Sequence, residues 1–110
     1  MTAHELLHRL PELARPEALD GVDATVQADL DPPLHLTIRD GAVTTHDGPA
    51  DAPNVTIRVS GDDLLALFRG ELNPAAALFS GRVRVLGDVR LAQRLVGAID
   101  RERLAEVDRG

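Results

Sequence analysis

The spacing of apolar residues changes along the chain, and this change most constrains the fold. Near the N-terminus, Leu6, Leu7, Leu10 and Leu13 recur at helical intervals. Between residues 24 and 59, apolar and polar residues alternate, as in ATVQADL and LHLTIR. Such alternation is typical of strands with one buried face and one solvated face. Helical spacing returns after residue 60, interrupted by the alternating stretch RVRVL. The sequence therefore predicts an α+β fold.

Capping residues predict where four helices begin. Thr2 stands three residues before Glu5 in a capping-box pattern, and Ser60 precedes two aspartates. Asn73 is followed by a proline at the first helical position, and Asp88 precedes the last predicted helix. That helix is predicted to carry Val89, Ala92, Leu95, Val96 and Ile99 on one side and Arg90, Arg94 and Arg101 on the other.

Five strands are predicted, at residues 24–30, 34–39, 42–46, 54–60 and 82–86. Asp40-Gly41 predicts a tight hairpin, because a type I′ turn needs positive φ at both central residues. We expect a five-stranded, mainly antiparallel sheet with helices over one face, all within one domain spanning residues 1–110. The opposite face would carry four arginines, and a solvated surface is favoured there over a binding stripe. These are Arg39, Arg58, Arg82 and Arg84.

Composition excludes several classes of function. The chain has no Cys and no Lys, which excludes a thiol nucleophile, a thiolate metal site and a lysine Schiff base. Its formal charge of −6 and 2% aromatic content argue against a nucleic-acid partner. No targeting or membrane-spanning segment is recognisable, so a cytoplasmic location is expected.

Candidate catalytic or metal-binding residues have simpler explanations. His4, His8 and Glu12 lie on one helical stripe, but a solvated face is favoured over a metal site. His35 and His46 lie on neighbouring strands without a nucleophile identifiable from spacing. Neither serine lies in a G-x-S-x-G elbow. We therefore expect neither an enzyme nor a cofactor. Periodicity alone leaves open whether the apolar layer between helices and sheet is well packed or encloses a cavity.

Residues 55–99 read VTIRVSGDDLLALFRGELNPAAALFSGRVRVLGDVRLAQRLVGAI. They contain a strand, a helix, G-x-L-N-P, a short helix, G-x-V-x-V-x-G-D and a final helix, and this pattern resembles the sterol carrier protein type 2 domain family. The positions in step with that pattern are Gly70, Leu72, Asn73, Pro74, Phe79, Gly81, Val83, Val85, Gly87 and Asp88.

The resemblance implies a hydrophobic tunnel between sheet and helices, covered by a movable final helix, and non-catalytic lipid binding. Fatty acyl chains, fatty acyl-CoA or isoprenoid lipids are favoured as ligands over sterols, because few aromatic side chains are available. Transient membrane contact and a homodimer are further expectations. The residues expected to line the tunnel are Leu36, Ile57, Leu67, Phe68, Leu72, Leu78, Phe79, Val85, Leu95 and Ile99. We expect about half of them to touch the ligand. An alternative is an accessory protein that presents lipid intermediates, such as those of isoprenoid-quinone synthesis, to enzymes.

Overall fold

The computed structural model describes residues 1–109. Its helices are α1 (Ala3–Leu13), α2 (Gly61–Arg69), α3 (Pro74–Ser80), α4 (Val89–Gly97) and α5 (Arg101–Arg109), with a 3₁₀ turn at Pro16–Leu19. Its strands are β1 (Asp23–Ala28), β2 (Leu34–Arg39), β3 (Ala42–Asp47), β4 (Val55–Val59) and β5 (Val83–Gly87). All five predicted strands are present, and their ends lie within two residues of the predicted ones.

The five strands form one sheet in the order β3-β2-β1-β4-β5. Three neighbouring pairs are antiparallel, and the central pair, β1 with β4, is parallel. The predicted hairpin is confirmed, since Asp40 and Gly41 both have positive φ, at 49° and 85°. The mainly antiparallel α+β architecture is therefore as the sequence predicts.

One face of the sheet is buried under the helices. The alternating apolar residues of β1 and β2 are all buried, while their neighbours Thr25, Gln27 and Thr37 are partly exposed. On the opposite face, the connection after β3 lies against the sheet, because Ala50 N–H donates to Gln27 Oε1 at 3.0 Å. Arg39 pairs with Asp23 on this side of the molecule, and Arg58 pairs with Asp29. Two of the four arginines predicted on this face therefore form exposed ion pairs, while Arg82 pairs with Asp63 of α2.

The predicted helix starts are confirmed by their caps. The hydroxyl oxygens of Thr2 and Ser60 accept hydrogen bonds from backbone N–H groups three residues later, both at 3.1 Å. Asn73 Oδ1 accepts from the next two free N–H groups of α3, and Asp88 Oδ1 accepts from Leu91. Each cap satisfies donors that have no partner within the first helical turn.

Helix α1 contains a proline that the capping pattern does not explain. Pro11 has no N–H, so the carbonyl oxygen of Leu7 lacks its usual partner one turn later. The hydroxyl of Thr45 on β3 donates to this oxygen at 2.6 Å. The interruption in α1 therefore becomes a contact that ties the helix to the sheet edge.

The prediction of one continuous last helix is wrong. Helix α4 ends at Gly97, and Ile99 forms an isolated antiparallel bridge with Ala14. Asp100 then starts α5, because its Oδ1 accepts a hydrogen bond from Arg103 N at 3.1 Å. Glycine weakens the helix before the break and a capping aspartate favours a new start after it. Ile99 and Arg101 therefore do not belong to α4.

None of the helices described within residues 1–109 is long and apolar enough to cross a membrane.

Candidate functional site

The main apolar cavity lies between the sheet and the helices of the C-terminal half. It has a volume of about 240 Å³. Three helices form its walls and two strands form its floor. The lining residues are Ile57, Leu64, Leu67, Phe68, Pro74, Leu78, Val83, Val85, Val89, Ala92, Gln93, Val96, Gly97 and Arg101. The cavity opens to solvent, since Leu78 and Val89 are 38% and 40% exposed.

Helical and strand periodicity place these side chains on one surface. On α2, Leu64, Leu67 and Phe68 face the cavity, which is the i, i+3, i+4 spacing of one helix side. On the floor, Ile57 of β4 and Val85 of β5 are direct cross-strand partners. Such opposite residues point to the same face of a sheet. The wall and the floor therefore follow from ordinary helix and strand geometry.

Helix α4 contacts both the cavity and the core. Val89, Ala92, Gln93 and Val96 recur at intervals of three and four and line the space together with Gly97. Leu95 is 1% exposed and lies in the buried core, and Ala92 belongs to both sets. The core side of α4 therefore fixes the helix that forms the cavity wall.

Two ion pairs hold α2 in place beside the cavity. Asp63 accepts from Arg82, just before β5, at 2.5 Å, and Asp108 of α5 accepts from Arg69 at 2.9 Å. The hydrogen bond from Arg82 lowers the pKa of Asp63, and the hydrogen bond from Arg69 lowers the pKa of Asp108. The same bonds raise the pKa of both arginines. These pairs connect the α2 wall to the floor and to α5.

Two polar side chains interrupt the apolar lining, Gln93 on α4 and Arg101 at the start of α5. The guanidinium carbon of Arg101 lies 2.8 Å from the position that a Cβ on Gly70 would occupy. It therefore rests against the backbone at the C-terminus of α2, where the helix dipole favours a cation. The remaining lining offers contacts suited to aliphatic groups.

Five of the ten residues expected to line the tunnel border this cavity. They are Ile57, Leu67, Phe68, Leu78 and Val85. Whether any of them contacts a lipid stays a prediction. The helix expected to act as the movable cover begins after Asp88 and corresponds to α4, which forms a wall of the cavity, and its movement stays a prediction.

The other five expected residues lie elsewhere. Leu36, Leu95 and Ile99 are buried in the core, where protein atoms surround them. Leu72 packs against that core and is partly buried. Phe79 is 94% exposed, because it follows Leu78 by one position and therefore points away from the helix side that faces the cavity. These five do not line the cavity.

Several lining residues were missed, and most could be found from periodicity. Leu64 shares the helical stripe of Leu67 and Phe68, and Val89 and Val96 share a stripe of the last predicted helix. Arg101 carried no such signal, since a continuous helix would place it on the solvated side. Its position depends on the break before α5.

The histidines of the strands and those of α1 make different contacts. His35 and His46 stack with their ring centroids 4.9 Å apart, and they are direct partners across β2 and β3. His4 contacts the carbonyl oxygen of Pro32 at 2.7 Å, and His8 contacts Asp47. The two histidines of α1 therefore contact separate segments, the turn before β2 and the end of β3. Within residues 1–109, no group of three or more His, Cys, Asp or Glu is arranged to hold a metal ion.

The fold has close counterparts among solved structures. It matches the sec-alkylsulfatase Pisa1 of Pseudomonas sp. with a TM-score of 0.83 and 21% identity, over 91% of this chain and 16% of that one. It matches Sterol Carrier Protein-2 from Aedes aegypti, in complex with the C16 fatty acid palmitate, with a TM-score of 0.69 and 16% identity over 89% and 96%. It matches the ubiquinone synthesis protein UbiJ-SCP2 with a TM-score of 0.68 and 18% identity over 87% and 90%.

Sequence comparison supports the same relationship. Peroxisomal multifunctional enzyme type 2 of Mus musculus is 34% identical over 61 residues, which is 54% of this chain and 8% of that enzyme. The chain thus spans a small fraction of that relative. The model of the SCP-2 sterol transfer family matches residues 3–100. Together with the order of strands and helices, this match shows that the chain belongs to the SCP-2 sterol transfer family.

Proposed function

We propose that this protein binds lipids reversibly and without catalysis, with an aliphatic chain seated in the apolar cavity. The observation that carries the proposal is the lining itself, in which aliphatic and aromatic side chains from α2, α3, α4, β4 and β5 meet around an unfilled space. Pockets of this kind take apolar ligands, and their few polar groups orient them. A space lined mainly by carbon atoms offers no nucleophile or general base to a substrate.

The size of the cavity limits what it holds in this conformation. Its volume of about 240 Å³ exceeds the ~150 Å³ that accepts benzene in an engineered protein core. It holds about eight groups the size of a water molecule, at ~30 Å³ each. Burying eight methylenes is worth about 6 kcal/mol at ~0.8 kcal/mol each. A longer chain must extend through the mouth beside Leu78 and Val89, or displace the α4 wall.

A flexible chain suits this space better than a rigid sterol. Phe68 is the one aromatic residue in the lining, so flat surfaces that would contact a ring system are few. Fatty acyl or isoprenoid chains can bend to follow the aliphatic wall. A structural counterpart with palmitate bound supports a fatty acyl ligand for this fold. We therefore propose fatty acyl or isoprenoid lipids as the ligand class.

We also propose that the protein exchanges its ligand during transient contact with a membrane. Three large apolar residues of α3 and the first turn of α4, Leu78, Phe79 and Val89, are exposed, and Phe79 is the most exposed of them. Two of the three, Leu78 and Val89, also line the cavity. A bilayer touching this surface would therefore meet the cavity mouth directly.

A second candidate function uses the same exposed surface differently. The exposed apolar residues around the mouth could contact an enzyme to which the lipid is presented, as an accessory protein would. The likeness in fold to a ubiquinone synthesis protein supports this alternative. Sizing chromatography and pull-down distinguish the two, because an accessory protein forms a stable complex or a homodimer and a carrier stays monomeric between membrane contacts.

The lipid-binding proposal is tested by filling the cavity. A side chain added at Gly97 meets no atom within 4 Å, and Gly97 lines the space. Gly97→Leu should therefore occupy the cavity without a clash in the core. We expect wild-type protein to bind the neutral probe N-phenyl-1-naphthylamine and to retain lipid in native mass spectrometry. The variant should bind the probe at least about tenfold more weakly, about 1.4 kcal/mol.

Ala105→Leu is the matched control, because Ala105 is exposed on α5 and lines no cavity. It should bind the probe like the wild type. The proposal fails if wild-type protein neither retains lipid nor binds the probe, or if the two leucine variants behave alike.

A further inference from the structure

The polar end of the cavity leads into a second, more open groove. This groove is lined by Arg15, Val96, Gly97, Ile99, Asp100, Arg101 and Glu102. Val96, Gly97 and Arg101 belong to both linings, so the apolar cavity and the groove adjoin along the end of α4. A molecule with an apolar tail and a polar head would span the two.

Arg101 stands at the junction between the two spaces. The lower part of an arginine side chain is aliphatic and its guanidinium is charged, so it can border an apolar cavity while the charge stays solvated. The guanidinium rests against Gly70 at the end of α2. This contact holds the charge near the cavity instead of leaving it free in solvent.

The charge of Arg101 is available to a ligand. Of the six ion pairs found within residues 1–109, none includes Arg101. Two acidic residues share the groove, Asp100 and Glu102. Asp100 is engaged as the cap of α5, accepting from Arg103 N. Arg15 adds a second guanidinium, which donates to Gly97 O at 2.8 Å and keeps further N–H groups for a ligand.

We propose that Arg101 binds the anionic head group of a single-chain lipid whose tail lies in the apolar cavity. This inference rests on the lipid-binding function proposed above and adds a preference to it. A guanidinium pairs with carboxylate and phosphate oxygens through charge-assisted hydrogen bonds, whereas a neutral alcohol gains much less. The protein should therefore select a fatty acid or alkyl phosphate over a neutral lipid with the same tail.

The test compares lipids of one chain length in displacing N-phenyl-1-naphthylamine. Dodecanoic acid, dodecyl phosphate and dodecan-1-ol share the tail and differ in the head group. In Arg101→Gln, we expect at least one of the two anions to bind about tenfold more weakly, while dodecan-1-ol changes by less than about twofold. The two anions distinguish a carboxylate from a phosphate head, and loss for either supports the inference.

Two control variants test whether the effect depends on a positive charge at position 101 or only on the total charge of the protein. Arg90→Gln removes the same charge from an exposed site on α4 that lines neither space, so it should leave both anions unaffected. Arg101→Lys keeps the charge and should retain most of the preference for anions. Circular dichroism would verify that each variant is folded.

The outcomes separate this inference from the proposed function. If the probe and the alcohol bind but Arg101→Gln leaves both anions unchanged, or weakens acid and alcohol equally, the role of Arg101 is wrong and the lipid site remains. The role of Arg101 is also wrong if Arg90→Gln weakens anion binding as much as Arg101→Gln does. If wild-type protein binds neither probe nor lipid, both proposals fail together.

Discussion

At the scale of single residues, two glycines with equal space around them should respond in opposite ways to alanine. An added Cβ meets no atom within 4 Å at either Gly97 or Gly81. Gly81 ends α3 with φ of 78°, whereas Gly97 has helical conformation within α4. Gly97→Ala should therefore stabilise the protein by about 0.4–1 kcal/mol, and Gly81→Ala should destabilise it by about 1–2 kcal/mol.

Urea unfolding of the two variants beside the wild type measures this difference. Because neither substitution causes a steric clash, each variant acts as the packing control for the other. A shift of the same sign in both would show that backbone conformation does not set the cost.

The residue scale also shows where sequence reasoning about the site stops. Alternation correctly places Ile57 and Val85 on the inner face, because strand geometry leaves two choices for each side chain. It does not tell which part of that face is covered by protein atoms. Leu36 has the same alternating pattern as Ile57, but it is 1% exposed in the core and does not line the cavity. Whether an inner-face residue lies in the core or under the cavity depends on how the helices pack on the sheet, and local sequence patterns do not contain this information.

At the scale of elements, the ends of helices were easier to predict than their continuity. Every predicted N-cap is present because capping is a local interaction within four residues. The break between α4 and α5 depends partly on the bridge from Ile99 to Ala14, which are distant in sequence. Pro11 is tolerated within α1 partly because Thr45 of β3 donates to the carbonyl oxygen that the proline leaves without a partner. Long-range contacts contribute to both features, beside the local effects of Gly97 and Asp100 at the helix break.

The ion pair between α2 and α5 leads to a prediction about pH. The side chains of Arg69 and Asp108 are 31% and 23% exposed, so we expect Arg69→Gln to cost about 0.5–1 kcal/mol at neutral pH. The hydrogen bond from Arg69 lowers the pKa of Asp108 below its unfolded value of about 3.9. The contribution is therefore complete above about pH 5 and is lost as pH falls through the folded pKa.

Denaturation at pH 7 and at about pH 3 measures this contribution. The difference between Arg69→Gln and the wild type should shrink at the lower pH, because protonation of Asp108 then favours the unfolded state. Arg90→Gln, which removes the same charge from the exposed side of α4, controls for general charge effects. A difference that stayed constant between the two pH values would contradict the pairing.

At the scale of the whole molecule, packing is uneven between the two halves. Most of the large side chains under 2% exposed belong to the N-terminal half: Leu6, Leu7, Leu10, Leu13, Leu19, Val26, Leu34, Leu36 and Ile38. Among the described residues from β4 onward, only Val55 and Leu95 are in this class. The cavity and the exposed apolar residues 78–89 lie in this second half. The chain thus combines a sealed core with an open apolar region.

This division predicts how ligand exchange with a membrane depends on Phe79. Phe79 is 94% exposed and does not line the cavity, so Phe79→Ser should leave probe affinity unchanged and stability within about 0.5 kcal/mol. If the exposed surface inserts into the bilayer, transfer of a fluorescent fatty acid to phosphatidylcholine vesicles should slow several-fold. Phe79→Leu should retain most of the rate, because it keeps an apolar side chain at the mouth.

The net charge of the protein predicts how lipid transfer depends on vesicle charge and on salt. At −6, the whole molecule is repelled by anionic vesicles, and salt screens that repulsion. Transfer should therefore be slower to vesicles containing phosphatidylglycerol at low salt, and the difference should shrink at about 0.5 M salt. If the lipid is transferred while the protein touches a vesicle, the transfer rate should rise in proportion to vesicle concentration. A rate independent of vesicle concentration, or equal in Phe79→Ser and wild type, would show that the lipid leaves through solvent and that Phe79 has no part in its exchange.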